Sequence, residues 1–235
     1  MPLPSSSKDP KPAMEEKHSK HGFHSGKDIN IVVAGMKGVG KSALTVRYLT
    51  RRFIGDYDSE MEAVYTHNTV LDGKSLTVHI LDTAWQGDGT EIKEDQILWA
   101  DAIVLVYSIT DRTSFEKLRE IADFVLSKRS DETKLVMTLV SNKCDLIHMQ
   151  KVSEVEVTQF CAEYNCLFFE ASASESSASV LNAFNGTCRQ VRLTNRKREK
   201  LLRFMSNPAV AAKLQIRNSL KSLTEMKWRS RAPTM

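Results

Sequence analysis

At 235 residues, with 41% apolar and 26% charged side chains, the chain has room for one well-buried domain plus appendages but not for two full domains. The net charge of +4 is unevenly spread: residues 195–235 hold eleven Lys or Arg against Glu199 and Glu225, so residues 1–194 are net acidic by five. The absence of a bilayer-length apolar run, of a signal-peptide core and of any CxxC pair among Cys144, Cys161, Cys166 and Cys188 argues against a membrane-spanning or disulfide-framework protein and predicts a reduced, cytoplasmic one.

Residues 1–27, rich in Pro, Ser, Lys and His and without an apolar period, are expected to be a disordered arm. His18, His21 and His24 recur every third residue, yet without carboxylate support that spacing reads as a solvated tail rather than a metal site. From Ile29 onward, strand and helix patterns alternate. Residues 29–34 are a buried-strand run, and 42–52 read as a helix. Residues 63–71 and 75–81 flank an Asp72-Gly73 turn, a hairpin signal. Residues 102–107, 135–140 and 166–169 are further buried strands, and 114–126, 153–164 and 178–192 carry helical spacing. The expected fold is α/β: a six-stranded, mostly parallel sheet with one antiparallel strand and helices on both faces.

Gly35-Met36-Lys37-Gly38-Val39-Gly40-Lys41-Ser42 satisfies GxxxxGK[ST] between a buried strand and a helix. Glycines let successive N–H groups of Gly35, Lys37, Gly38, Val39, Gly40, Lys41, Ser42 and Ala43 curl around a β-phosphate, backed by the helix N-terminus. Lys41 supplies a cation to the β- and γ-phosphates, and the Ser42 hydroxyl suits Mg²⁺. Asp82, closing a strand beside this loop, suits the second magnesium position. Asn142-Lys143-Cys144-Asp145 then selects the base: the Asp145 carboxylate can accept both the ring N–H and the exocyclic amine of guanine, a donor pair that adenine lacks. Lys143 can lay its stem along the base. Glu170-Ala171-Ser172-Ala173 places the Ala173 N–H where it could meet the guanine carbonyl, with Ser172 beside it as a further nucleotide-binding residue.

These elements, in this order, resemble the Ras superfamily of small GTPases over residues 28–193. Within it the chain looks most like the divergent Ras-like group that includes the Ras-related and oestrogen-regulated growth inhibitor. Residues 46–54, Ile80-Leu81-Asp82-Thr83-Ala84 and Val106-Tyr107-Ser108-Ile109-Thr110-Asp111 carry that likeness. The resemblance implies a P-loop GTPase domain over residues 28–194 that binds GTP and GDP with Mg²⁺, acts on protein effectors and regulators as a monomer, and binds no nucleic acid. It also implies that Phe53 packs edge-on against guanine and that Gln86 orients the attacking water. Three residues depart from the family. Lys37 stands where glycine is favoured, Trp85 replaces the glycine whose N–H meets the γ-phosphate, and Glu60 falls at the threonine that ligates Mg²⁺. Thr66, the nearest substitute, lies inside the hairpin. All three departures bear on the γ-phosphate, so slow hydrolysis is expected, with a nucleotide-binding adaptor that does not turn over as the rival.

The sequence ends Arg231-Ala232-Pro233-Thr234-Met235 with no cysteine after Cys188, which argues against prenylation. Pro208 divides residues 197–205 from a second helical stretch in which Ile216, Leu220 and Leu223 share a face flanked by Lys213, Arg217 and Lys221. This partly helical extension, residues 195–235, reads as a membrane-surface or calmodulin-target-like element, expected to meet an anionic surface such as the inner plasma membrane, with a tail that packs back on the domain or stays disordered as the alternative.

Overall fold

A computed structural model describes residues 28–55, 62–84, 92–129 and 135–206. The expected arm 1–27, Glu60, Trp85, Gln86 and everything after Ser206 lie outside these residues.

Six strands form one sheet in the order β2-β3-β1-β4-β5-β6. They are β1 (Asp28–Ala34), β2 (Ala63–Leu71), β3 (Lys74–Asp82), β4 (Ala102–Ser108), β5 (Val136–Asn142) and β6 (Leu167–Glu170). β2 pairs antiparallel with β3 through the Asp72-Gly73 turn, and every other pairing is parallel. The helices are α1 (Lys41–Thr50), α2 (Glu94–Trp99), α3 (Arg112–Lys128), α4 (Glu154–Tyr164) and α5 (Ser177–Met205), with a 3-10 segment at Cys144–Met149.

β1 explains the layering. It is buried on both faces, so its sequence reads as a continuous apolar run, yet its side chains still alternate. Ile29, Ile31 and Val33 join one core with Leu44 and Tyr48 of α1 and Phe184 and Val191 of α5. Val32 and Ala34 join a second core with Ile97 of α2, Leu118 and Val125 of α3 and Phe160 of α4. Helices therefore cover both faces, as expected.

Two features differ from the sequence reading. α2 was not anticipated: it has six residues, of which only Gln96 and Ile97 are buried, too short a stretch to display a period. α5 does not end near Arg192 but runs on to Met205, so the expected boundary at 194 falls inside one unbroken helix. Thr66, as expected, sits within β2, where its hydroxyl is 3.0 Å from His79 Nδ1.

The topology fixes where a ligand can bind. The connection after β1 runs through α1 toward β2 and β3, and that after the neighbouring β4 runs through α3 toward β5 on the other face, so a crevice opens beyond the strands' C-terminal ends at this switch point. The loops after β1, β3, β5 and β6 all meet there.

Candidate functional site

The loop after β1 is held by two backbone features that side chains would spoil. Gly35 has φ +147°, and a Cβ there would lie 2.2 Å from the Val106 carbonyl oxygen. Gly40, the α1 N-cap, has φ +97°, and its Cβ would lie 2.3 Å from Asn142 Nδ2. With glycine as the cap and no acidic residue in its first turn, α1 presents its N-terminal N–H groups without a competing side-chain acceptor. Lys41 is 7% exposed, and its ammonium donates to the carbonyls of Gly35 at 2.6 Å and Met36 at 3.2 Å. The cation is thus folded back against its own loop, within reach of an incoming anion.

Register places the next group. Val33 pairs with Asp82 across β1 and β3, and the Thr83 N–H and hydroxyl both donate to the Val33 carbonyl, at 3.3 and 2.9 Å. Asp82 is buried, and among the described residues its Oδ1 has no hydrogen-bond partner. Burial raises its carboxyl above the usual carboxylate range; the Ser42 hydroxyl and the Lys41 charge oppose that less strongly. A buried carboxylate oxygen without a partner, beside a serine hydroxyl, is a donor set that fits a small oxygen-seeking divalent cation.

Asn142, at the end of β5, ties three segments together. Its Nδ2 donates to the Val39 carbonyl at 2.8 Å, and its Oδ1 accepts the Ala173 N–H at 3.2 Å. Lys143 adopts φ +65°, turning the chain into the 3-10 segment that carries Asp145. The Ser172 hydroxyl donates to Asp145 Oδ1 at 2.6 Å and itself accepts the Glu175 N–H at 3.1 Å.

A cavity of about 390 Å³ unites these pieces. Of the residues expected from sequence, Lys37, Gly38, Gly40, Lys41, Ser42, Ala43, Phe53, Asn142, Lys143, Asp145 and Ala173 line it. Phe53 is 44% exposed, so it is not the core residue that a helix-closing phenylalanine would otherwise be. Gly35, Val39, Asp82 and Ser172 are buried and are not among its lining residues. The Ser172 hydroxyl is directed to Asp145, and the Ala173 N–H, expected to meet a guanine carbonyl, donates to Asn142 Oδ1 in this ligand-free arrangement. Gly55, Thr83, Leu146 and Ser174 also line the cavity and were not anticipated. Thr83 follows a motif residue and was within reach of sequence reasoning; Leu146 carried no signal.

The sheet order, phosphate loop and cavity define a P-loop nucleotide-binding α/β domain. The Ras family model matches residues 30–193. The Ras-related and estrogen-regulated growth inhibitor of Bos taurus is 39% identical over 165 residues, covering 70% of this chain and 82% of that protein. Ras-like protein family member 11B of Mus musculus is 38% identical over 173 residues, covering 69% and 68%. Ras-like protein family member 12 of Danio rerio is 37% identical over 170 residues, covering 72% and 66%. The chain belongs to the Ras family of small GTPases.

Proposed function

We propose that residues 28–194 form a monomeric switch that binds GTP and GDP with Mg²⁺ and hydrolyses GTP to GDP and phosphate slowly. One observation carries this reading: a single cavity is lined by both Lys41 and Ser42 of the phosphate loop and by Lys143 and Asp145 of the base-reading segment.

In this mechanism the Lys41 ammonium exchanges its loop carbonyls for β- and γ-phosphate oxygens and opposes charge developing on the transferring phosphoryl group. The loop N–H groups hold the β-phosphate. Asp145, held by Ser172, accepts the two guanine donors, while Lys143 and Phe53 flank the base. Ser42 and Asp82 would hold Mg²⁺, which when bound neutralises phosphate charge. Gln86 orients the water. Effectors and regulators bind the surrounding surface, and the basic C-terminal region meets an anionic membrane from the cytoplasm.

Lys37 favours the second reading, an adaptor that binds nucleotide without meaningful turnover. It lines the cavity, and a side chain of that length at this loop position would crowd the γ-phosphate and the approach of an activating protein's arginine. Identifying the copurified nucleotide and then following GTP in a single turnover separates the two. Hydrolysis on the order of 10⁻⁴ s⁻¹ supports the switch, and intact GTP after days supports the adaptor. A rate a hundredfold higher overturns the assigned effect of Lys37, Glu60 and Trp85.

A further inference from the structure

We infer that the last three turns of α5 are a docking helix for an anionic lipid surface, an inference that rests on the membrane reading above and assigns it to particular residues. α5 has 29 residues, and its last buried one is Val191. Every residue from 196 to 206 is exposed. Its beginning is anchored to the domain: Arg189 grips Asp72 through both carboxylate oxygens, and Arg192 donates to the Leu71 carbonyl at 3.0 Å. The free part is therefore carried on a rigid base.

The exposed turns are patterned. At about 100° per residue, Leu193, Leu201, Phe204 and Met205 fall within an arc of roughly 120°, and Leu202, 47% exposed, lies about 60° beyond its edge. They are 48, 58, 60 and 58% exposed, so among the described residues nothing covers this arc. Five cations, Arg196, Lys197, Arg198, Lys200 and Arg203, stand against the single carboxylate of Glu199. On the same wheel Lys200 and Arg198 border the arc on opposite sides, and Glu199 lies about 180° from its centre. The acid is thus as far from the apolar face as the helix allows.

Lys197 favours lipid over an acidic protein groove. It projects within the apolar arc, between Leu193 and Leu201. A protein groove gripping that arc would bury its ammonium. At a bilayer its stem lies along the acyl boundary while the ammonium rises to the headgroups. The membrane supplies the opposite charge along the whole face, and basic residues near such a surface attract it with a strength that salt reduces.

The test is co-sedimentation of the full chain, loaded with GDP, with mixed phosphatidylcholine–phosphatidylserine vesicles, using pure phosphatidylcholine as control. The parent should bind the mixed vesicles at low salt and release at high salt. Full-chain Lys197→Gln/Lys200→Gln/Arg203→Gln should lower partitioning by roughly a hundredfold, and Leu201→Ser/Phe204→Ser should lower it at least tenfold. Unchanged GDP affinity in these variants verifies folding. If the parent binds and both variants bind equally well, the α5 assignment fails while the membrane reading survives through residues 207–235. If the parent ignores phosphatidylserine, both fail and a protein partner replaces the bilayer.

Discussion

The Ser172 hydroxyl donates a 2.6 Å hydrogen bond to Asp145 Oδ1 across the gap between the loops after β5 and β6. In the proposed base-reading role, a carboxylate accepting two guanine donors at fixed angles would gain from such a clamp, since rotation away from the base would break it. Ser172→Ala should therefore weaken GDP binding about fivefold, the worth of roughly 1 kcal/mol for one hydrogen bond. Asp145→Ala should weaken it by roughly a hundredfold or more, because the guanine donors lose their acceptor. Fluorescent-GDP titration measures both. A Ser172→Ala protein that binds as tightly as the parent would show the clamp to be inert, and equal parental affinity for ADP and GDP would remove guanine from the assignment.

Asn142 and Gly40 are coupled by contact. Asn142 is 2% exposed, and its amide serves both the phosphate loop and the loop after β6. Asn142→Ala leaves a buried carbonyl and a buried N–H without partners, at a cost of about 2 kcal/mol, and should speed GDP release. Gly40→Ala drives a Cβ to 2.3 Å from the Asn142 amide nitrogen, whereas a Cβ at Gly38 meets nothing within 4 Å. Both glycines have positive φ, so both substitutions carry that strain. Thermal denaturation should place Gly40→Ala below Gly38→Ala by at least about 1 kcal/mol; equal losses would show that the amide swings aside freely.

The strands and the motif residues were legible because each answers to a local rule. A GxxxxGK[ST] loop between a buried run and a helix has few other uses, and the Asp72-Gly73 hairpin was visible in its turn residues. What escaped depended on distance in space. Nothing local says that Ser172 faces Asp145 or that Asn142 spends its amide on Val39, since those pairs are 27 and 103 residues apart. Nor does anything local say that the Ala173 N–H donates to Asn142, 31 residues away. The length of α5 escaped for another: beyond Val191 its apolar residues face outward, so the core-facing period used to bound a helix stops before the helix does.

Glu156 lends itself to a pH measurement. Arg112 binds its carboxylate, and the Ser153 N–H and hydroxyl donate to it at 3.0 and 2.7 Å, which together pull its pKa down to about 2. A folded-state pKa below the unfolded value means that the contribution to stability is present in full above the ordinary carboxylate range and disappears as pH falls through about 2. Glu156→Gln should therefore lower the melting temperature slightly at pH 7, and the gap from the parent should narrow between pH 5 and pH 2, by roughly the course expected for one such carboxylate. The site is exposed, so added salt should shrink the gap as well. A gap that stays constant with pH would assign the effect to the loss of the capping-box geometry rather than to the charge.

Asp82 should show opposite signs with and without ligand. Its Oδ1 is buried without a hydrogen-bond partner among the described residues, and burial raises its carboxyl above the ordinary range. For an acid with a raised folded-state pKa, the favourable contribution belongs to the neutral form: it is present below the unfolded pKa and is lost as pH rises through the folded one. Above that folded-state value the charged carboxylate therefore weakens the protein when no metal cation faces it, since Lys41 and Ser42 oppose the effect of burial only in part. Asp82→Asn removes that charge at nearly constant volume, so nucleotide-free protein in a chelator should gain about 1 kcal/mol and melt at a higher temperature than the parent. With GDP and Mg²⁺ the order should reverse, because the parent gains the cation's attraction and the amide does not. Paired melting curves in chelator and in saturating Mg²⁺–GDP read both arms. If Asp82→Asn responds to Mg²⁺ as strongly as the parent, the carboxylate takes no part in holding the metal, and its burial serves the packing between β1 and β3 alone.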